Sequence, residues 1–317
     1  MTGALHEDLV AGIGAYPVAR LNDGNYLAIR AARRAGVPEP GPLEGVVWEE
    51  RFIPGPEGAP EVRVLVYRPE AAVEGRPAIL HLHGGGLVLG CPEQVHERNG
   101  WLVRELGCVI VSVDYRKAPE DPFPAGPEDG WATLVWMRDQ AGALGIDAGS
   151  IAILGESAGG LMAATLAIIA HERGGGPAPV FQGLVYPMLD DRTGQDAIPE
   201  DQECHVWTET SNRWAWRVYL GTGPGETPPD GAVPARRADL SGLPPAWIGV
   251  GSVDLFVGEN LDYAKRLLAA GVECEVTVVP GGCHAFQRIA PEAKITRDFE
   301  ASYMEALRRA FRKAQAG

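Results

Sequence analysis

The sequence has too few cysteines, in the wrong arrangement, to form a disulfide framework or a zinc site. Five cysteines is an odd number, and no two of them stand in C-x-x-C spacing. Small secreted domains and structural zinc sites instead show even numbers at characteristic spacings. We therefore expect neither a set of disulfides nor a structural metal. The five residues are Cys91, Cys108, Cys204, Cys274 and Cys283.

Positive charge is also scarce. The 317 residues include 28 Lys and Arg against 42 Asp and Glu, which gives a formal net charge of −14, and no dense basic run occurs. Because nucleic-acid binding depends on clustered positive charge, we expect no nucleic-acid partner. The acidity is better explained by solubility.

Long apolar runs are missing as well. None approaches the roughly 20 residues that a helix needs to cross a bilayer. The first residues, MTGALHEDLVAGIGAYPVAR, are acidic where a secretory signal would have a basic lead into an apolar core. These two absences predict no membrane insertion and a cytoplasmic location.

What the chain does contain is a regular alternation of apolar strands and helices. Hydrophobic residues make up 45% of the sequence, enough for a sizeable core. The alternation predicts an α/β fold with a mostly parallel, eight-stranded sheet covered on both faces by helices. Two early strands joined by PGPEGAP add an antiparallel edge. The predicted strands are Val46–Ile53, Val62–Tyr67, Ala78–Leu82, Cys108–Val113, a central strand at Ile151, Phe181–Tyr186, Ala246–Gly251 and Cys274–Val279.

Two segments depart from this alternation. Residues 1–42 have helical spacing of apolar residues, and residues 188–242 are rich in loops, prolines and acids. We interpret both as parts of a helical cap over an α/β core formed by residues 43–187 and 243–317. The predicted helices on the core are Gln94–Leu106, Gly126–Gln140, the segment after Ser157, Leu261–Ala270 and Thr296–Lys313.

The segment from Ser150 to Leu166, SIAILGESAGGLMAATL, organises the rest of the chain. An apolar strand passes through Gly155-Glu156-Ser157-Ala158-Gly159 into a buried helix. G-x-S-x-G at a strand-to-helix turn exposes a serine hydroxyl near the positive end of a helix. The alternative interpretation is a glycine-rich turn with an incidental serine, so the remaining sequence has to supply the groups that activate a serine.

A serine hydroxyl needs a neighbouring base, for which an imidazole is well suited at neutral pH. Three histidines follow Ser157: His171 late in the serine helix, His205 in the predicted cap, and His284. His284 comes just after a predicted strand, and catalytic groups gather at the carboxyl ends of strands in open α/β sheets. We therefore predict that His284 is the base.

An acid is needed to orient the imidazole and to stabilise its positive charge. Asp254 follows the predicted strand Ala246–Gly251 at the same edge of the sheet, and the order Ser, Asp, His is that of α/β hydrolases. Glu259 is nearby at the start of a predicted helix, where it could instead complement the helix dipole. Asp190 and Asp191 also follow a strand, but we assign them to anchoring the cap. Asp254 is the predicted acid.

Negative charge that develops on a carbonyl oxygen requires donors already aimed at it. His83-Gly84-Gly85-Gly86 follows an apolar strand, and glycines let backbone N–H groups approach a substrate. The N–H of Ala158, next after the serine, would complete the oxyanion hole.

Together these motifs resemble the hormone-sensitive-lipase-like esterases of the α/β-hydrolase superfamily. The resemblance extends over most of the chain in the family's order, and it rests on LHLHGGGLVLG (80–90), VDYRKAPEDPFPAGPED (113–129), GESAGG (155–160), YPMLDD (186–191), VDLFVGEN (253–260) and PGGCHAF (280–286). Glu156 stands where the family commonly has aspartate.

The resemblance implies a triad of Ser157, Asp254 and His284, with an oxyanion hole formed by Gly84, Gly85 and Ala158. It further implies that His83 orients the glycine loop and that Asp114, Tyr115 and Arg116 are scaffold residues. Family members commonly pair through the last strand and the C-terminal helix, so a homodimer through Cys274–Val279 is expected here.

The expected reaction is hydrolysis of a small-molecule carboxylic ester of short to medium chain length, through an acyl-enzyme, without metal or cofactor. Five candidates for contacts with the substrate are Leu87, Val88, Trp207, Trp214 and Tyr219. At helical spacing the aromatic members of this set would equally suit the core of the cap.

Two alternatives use the same fold. Amidases, carbamate hydrolases and lactonases share the acyl-transfer machinery, and the sequence does not separate them from esterases. Plant hormone receptors resembling this family keep the serine but lose the catalytic histidine, so the presence of His284 argues against a non-catalytic receptor.

Overall fold

The computed structural model of the protein describes residues 4–16, 18, 20–71, 73–174, 176, 178–196, 204–222 and 226–316. Within them eight strands form one mostly parallel sheet, as predicted from the alternation of strands and helices. The strands are β1 (Val46–Ile53), β2 (Val62–Pro69), β3 (Arg76–Leu82), β4 (Val109–Asp114), β5 (Ile146–Glu156), β6 (Phe181–Val185), β7 (Ala246–Gly251) and β8 (Cys274–Val279).

The order of the strands across the sheet is β1-β2-β4-β3-β5-β6-β7-β8. β2 runs antiparallel to both β1 and β4, while the neighbours from β4 to β8 are parallel. The carboxyl ends of β3 to β8 therefore share one edge of the sheet. Ligands in open α/β sheets bind outside these ends, and β5, β7 and β8 lead directly into the segments that carry Ser157, Asp254 and His284.

Helices of very different length connect the strands. The α-helices are α1 (Glu7–Val10), α2 (Tyr26–Ala35), α3 (His96–Leu106), α4 (Ala125–Asp139), α5 (Ala141–Leu144), α6 (Ala158–Arg173), α7 (Glu209–Leu220), α8 (Val257–Ala269), α9 (Phe286–Ile289) and α10 (Lys294–Ala316). Short 3₁₀ turns occur at Ile13–Ala15, Pro92–Val95 and Pro234–Arg236. None of the helices in the described ranges combines the length and apolarity required to cross a bilayer.

Helix α8 begins at Val257, earlier than the predicted start at Leu261. The carboxylate of Asp254 accepts a hydrogen bond from the N–H of Phe256 at 2.9 Å, which closes the turn ahead of the helix. The same side chain thus stabilises the helix start and faces the edge of the sheet.

The two segments predicted to form a cap contact each other. The ring of Tyr26 in α2 lies 5.4 Å from the ring of Trp214 in α7, and the indole N–H of Trp214 donates to Asp23 at 2.8 Å. The backbone N–H of Leu21 donates to the hydroxyl of Ser211. Some residues of the two predicted cap segments, namely 1–3, 17, 19, 197–203 and 223–225, lie outside the described residues.

Candidate active site

Ser157 occupies the turn between β5 and α6 in an unusual backbone conformation. Its φ of 57° and ψ of −117° lie in a region that costs a non-glycine residue free energy, so the surrounding structure must hold it there. The N–H of Ser157 donates to the carbonyl of Val185 at 2.9 Å, and its carbonyl accepts from the N–H groups of Leu161 and Met188. These bonds attach the turn to β6 and to the chain beyond it.

The two glycines of the G-x-S-x-G motif are required by close backbone contacts. A Cβ at Gly155 would lie 2.1 Å from the carbonyl oxygen of Gly159, and a Cβ at Gly159 would lie 1.9 Å from that of Leu82. Such distances are far inside van der Waals contact, and the atoms met are backbone, which cannot rotate away. Gly155 and Gly159 therefore have no room for a side chain, because the end of β5, the first turn of α6 and β3 approach one another so closely.

Replacing Gly159 with alanine should unfold this turn or push β3 aside. We expect Gly159→Ala to lower the free energy of unfolding by at least about 2 kcal/mol, at the upper end of overpacking effects. The matched control is Gly142→Ala in α5, where a new Cβ meets no atom within 4 Å and helix propensity favours alanine by up to about 1 kcal/mol. Urea unfolding midpoints measure both, and equal midpoints for the two variants would contradict the close-contact explanation.

The structure places the three predicted triad residues in one hydrogen-bonded series. Nε2 of His284 lies 2.9 Å from Oγ of Ser157, and Nδ1 of His284 lies 2.8 Å from Oδ2 of Asp254. An ionised carboxylate only accepts, so Nδ1 carries the proton and Nε2 is left to accept from the serine hydroxyl. The rings of Tyr186 and Phe256 lie edge-on to the imidazole, with centroids at 4.8 and 5.2 Å, and limit its rotation.

The carboxyl groups considered as alternatives to Asp254 have other partners. Glu259 accepts from the backbone N–H of Leu189 at 2.6 Å, and burial raises its pKa well above the usual value. Asp190 forms an ion pair with Arg192, and Asp191 with Arg236. Asp254 itself is completely buried beside His284.

The predicted oxyanion residues lie against the serine turn. A Cβ at Gly84 would be 3.5 Å from Cβ of Ser157, which shows how closely the glycine loop passes the serine. No acceptor among the described residues pairs with the backbone N–H of Gly84 or Gly85. The N–H of Ala158 belongs to the first turn of α6, where N–H groups have no partner within the helix.

Several side chains hold the glycine loop in place. The hydroxyl of Tyr115 donates to the carbonyl of His83 at 2.6 Å, and the two rings stack with centroids 4.4 Å apart. Gln94 donates its amide N–H to the carbonyl of Gly84 at 3.0 Å. Burial lowers the pKa of His83 to about 3, so this imidazole is neutral. Gln94 was not identified from the sequence, since an isolated glutamine at the start of a predicted helix carries no motif.

A second set of buried charges lies directly before the serine. Glu156 accepts from His81 at 3.0 Å and forms an ion pair with Arg98 at 2.5 Å. Burial alone would raise the pKa of this carboxyl, but its interactions with His81 and Arg98 hold it at about 2. Glu156 therefore stays ionised and ties β5 to β3 and α3 behind the turn.

Ser157 and His284 open onto a cleft of about 1040 Å³ between α2, the glycine loop and α9. Of the five residues predicted to contact the substrate, Trp207 lines this cleft, where its ring covers Gly86. Leu87 and Val88 are buried in the core. Trp214 packs on Tyr26, and Tyr219 is buried against Phe123, so both lie in the interior. Tyr186, Val206 and Ala285, which were not identified from the sequence, also line the cleft.

Within the described part of the chain, no three His, Cys, Asp or Glu side chains are grouped so as to hold a metal ion. The polar groups at the cleft include those of the serine turn, the glycine loop and His284, together with arginines, acids, a lysine and glutamines on its walls.

A serine on a strand-to-helix turn, in contact with an imidazole and a carboxylate from later strand ends, is the arrangement of α/β hydrolases. The match to known families agrees with this class. Residues 79–288 match the family described as having the alpha/beta hydrolase fold, and the chain belongs to its hormone-sensitive-lipase-like group.

The sequences of several named relatives align with nearly the whole chain. Carboxylesterase NlhH of Mycobacterium tuberculosis is 34% identical over 91% of this chain and 90% of its own length. The solved structure of esterase LipW from Mycobacterium marinum is 34% identical, covers 98% of each chain and superposes with a TM-score of 0.83. That of a bacterial heroin esterase is 31% identical, covers 97% of this chain and 98% of its own, and has a TM-score of 0.87.

Proposed function

We propose that the protein is a serine carboxylesterase that hydrolyses short- to medium-chain esters through an acyl-enzyme. The observation that carries the proposal is the series from Asp254 through His284 to Ser157, beside the N–H groups of Gly84 and Gly85, which no described residue accepts from. The carboxylesterase and esterase names of the relatives favour an ester over other acyl compounds.

In the first half-reaction His284 takes the proton from Ser157 as the serine oxygen attacks the ester carbonyl. Asp254 holds the imidazole in the required tautomer and stabilises the positive charge that it gains. The N–H groups of Gly84, Gly85 and Ala158 bind the carbonyl oxygen as it becomes negative. His284 then gives its proton to the departing alcohol, and the acyl group stays on Ser157.

In the second half-reaction a water molecule replaces the alcohol. His284 removes a proton from the water, which attacks the acyl carbonyl against the same N–H donors. When the tetrahedral intermediate collapses, the proton returns to the oxygen of Ser157 and the carboxylic acid leaves. All proton transfers pass through Nε2 of His284, the ring nitrogen that faces the serine.

The proposal is tested with matched substrates. We expect kcat/KM for p-nitrophenyl esters to be highest between acetate and octanoate and to fall for laurate, because charged walls and Trp207 limit the cleft. The ester should be hydrolysed faster than the p-nitroanilide of the same acid and faster than a lactone of the same size. An anilide or lactone that reacts faster than every ester would contradict the ester assignment.

We also propose which segments close the cleft and which of their residues contacts the substrate. The segments 1–42 and 188–242 form the cap that closes the cleft, and Trp207 is the residue of 188–242 that we assign to contact the substrate. Trp214 packs on Tyr26 within the cap, and Tyr219 packs the cap on Phe123 of the core.

We further propose that two copies pair through β8 and α10. β8 is the last strand of the sheet, so its outer edge has unpaired backbone groups. Val278 on this strand is 39% exposed, and a partner strand would cover it. Sedimentation velocity should show a species of twice 33.8 kDa. A single monomeric species at working concentration would contradict the pairing.

A further inference from the structure

Two arginines line the same cleft as Ser157 and His284. Arg33 belongs to the last turn of α2, and Arg288 lies in α9, the short helix that follows His284. Both side chains are exposed to solvent in the cleft. Partial loss of hydration and the like charge of Arg288 lower the pKa of Arg33.

The other cations of the cleft each have an acidic partner. These pairs are Arg30 with Glu120 at 2.8 Å, Arg34 with Glu93 at 2.7 Å, Arg98 with Glu156 at 2.5 Å and Lys117 with Asp114 at 2.8 Å. By contrast, the guanidinium groups of Arg33 and Arg288 make no ion pair and no hydrogen bond with any described residue. The cleft, which Glu39, Glu97 and Glu300 also line, thus contains two guanidinium groups that form no ion pair within the described part of the chain.

Arg288 is also near the reacting groups. Its charge lowers the pKa values of Glu156 and Tyr186, and the ring of Tyr186 lies against His284. Glu156 does not neutralise Arg288, because His81 and Arg98 already donate to its carboxylate. The hydroxyl of Tyr16 donates to the carbonyl of Arg288 at 2.5 Å, which fixes α9 beside the N-terminal segment.

Arginines without an acidic partner on the wall of a cleft attract an anion. A guanidinium group presents planar N–H donors that match the two oxygens of a carboxylate. We propose that the cleft binds esters carrying a second, anionic group, a carboxylate that pairs with Arg33 and Arg288 while the ester carbonyl lies at Ser157. This inference rests on the proposed esterase function and narrows its substrates to acidic esters.

The carboxylate can come from either side of the ester bond. An acid with two carboxyl groups, only one of them esterified, carries it on the acyl side, and an ester of a hydroxy acid carries it on the alcohol side. Two substrate pairs separate these sources. They are monomethyl adipate with methyl heptanoate, and 4-carboxyphenyl butyrate with 4-methylphenyl butyrate.

The decisive quantity is the ratio of kcat/KM for the anionic ester to that for its neutral partner, measured by titrating the acid released at neutral pH. For one of the two pairs, Arg33→Gln and Arg288→Gln should each lower this ratio about tenfold, the loss of one charge-assisted contact discounted for its exposure. Arg138→Gln is the control, because Arg138 is an exposed arginine of α4 paired with Asp139. It should leave both ratios unchanged. Added salt should lower the wild-type ratio and have less effect on the two cleft variants.

The inference would be overturned if neither Arg33→Gln nor Arg288→Gln changed the ratio of kcat/KM for either substrate pair. It would also be overturned if kcat/KM for the anionic and the neutral ester fell by the same factor, because an equal loss means a general disturbance of the cleft. Wild-type protein that hydrolyses none of the four esters would instead overturn the proposed function, so the two failures are distinguishable.

Discussion

The Ser157→Ala variant should lose at least about 10⁴-fold in kcat on p-nitrophenyl butyrate, because it removes the atom that forms the acyl-enzyme. The hydroxyl of Ser157 is the group 2.9 Å from Nε2 of His284, and no other side chain occupies that position. The fold should survive, since alanine is smaller and the bonds that hold the turn are made by the backbone of Ser157.

Ser150→Ala is the matched control for this variant. Ser150 lies on the same strand, β5, is fully buried, and its hydroxyl has no hydrogen-bond partner in the described structure. Its removal should leave kcat within about threefold, because surrounding packing is retained and no paired group is lost. A purified Ser157→Ala variant with most of the wild-type activity would show that the nucleophile is another residue.

Asp254→Asn should have the second largest effect, on the order of 10³ to 10⁴ in kcat. An amide at this position can donate to Nδ1 of His284, which favours the tautomer with the proton on Nε2. That nitrogen could then no longer accept the proton of Ser157. The imidazolium formed in the reaction would also lose the neighbouring negative charge.

Glu259→Gln distinguishes this explanation from one based on any buried acid nearby. Burial raises the pKa of Glu259 well above its usual value, which favours the neutral carboxyl. Glutamine replaces this group with a neutral amide of the same size. The bond from Leu189 goes to an oxygen that glutamine retains. We expect less than about a tenfold loss, and unfolding midpoints close to the wild type. A large loss of kcat in Glu259→Gln together with a small loss in Asp254→Asn would show that Asp254 is not the acid of the triad.

Much of the fold follows from patterns that are local in the sequence. The bounds predicted for β1, β7 and β8 agree with the structure, because each strand is an apolar or alternating run between clear turn residues. The start of α8 was predicted too late, at Leu261 instead of Val257. The turn before the helix is closed by a bond from the N–H of Phe256 to the Asp254 carboxylate, which helical spacing alone does not reveal.

The positions of Ser157, Asp254 and His284 could be anticipated for a similar reason. Each lies just beyond a recognisable strand, and parallel strands bring their carboxyl ends to one edge. The contacts within the cleft could not be anticipated in this way. Trp207 and Trp214 are both aromatic residues of the predicted cap, and only the packing of α7 on Tyr26 decides that one faces the cleft and the other the interior.

The pair of Arg33 and Arg288 was beyond sequence reasoning altogether. Arg33 looks like an ordinary cation at the end of a helix, where it complements the dipole, and Arg288 has no motif around it. Their presence on one cleft depends on how the N-terminal segment packs against α9, through contacts such as the bond from Tyr16 to Arg288. Long-range packing of this kind leaves no periodic signal.

The proposed reaction depends on one property of the site, the activation of the Ser157 hydroxyl by His284 and Asp254. Treatment with diethyl p-nitrophenyl phosphate, followed by peptide mass spectrometry, tests it directly because a phosphorylated serine does not turn over. We predict that activity falls in proportion to the phosphoryl group gained, that one group per chain inactivates the protein, and that it lies on Ser157. Full inactivation with the group on another residue, or full activity after phosphorylation of Ser157, would contradict the account.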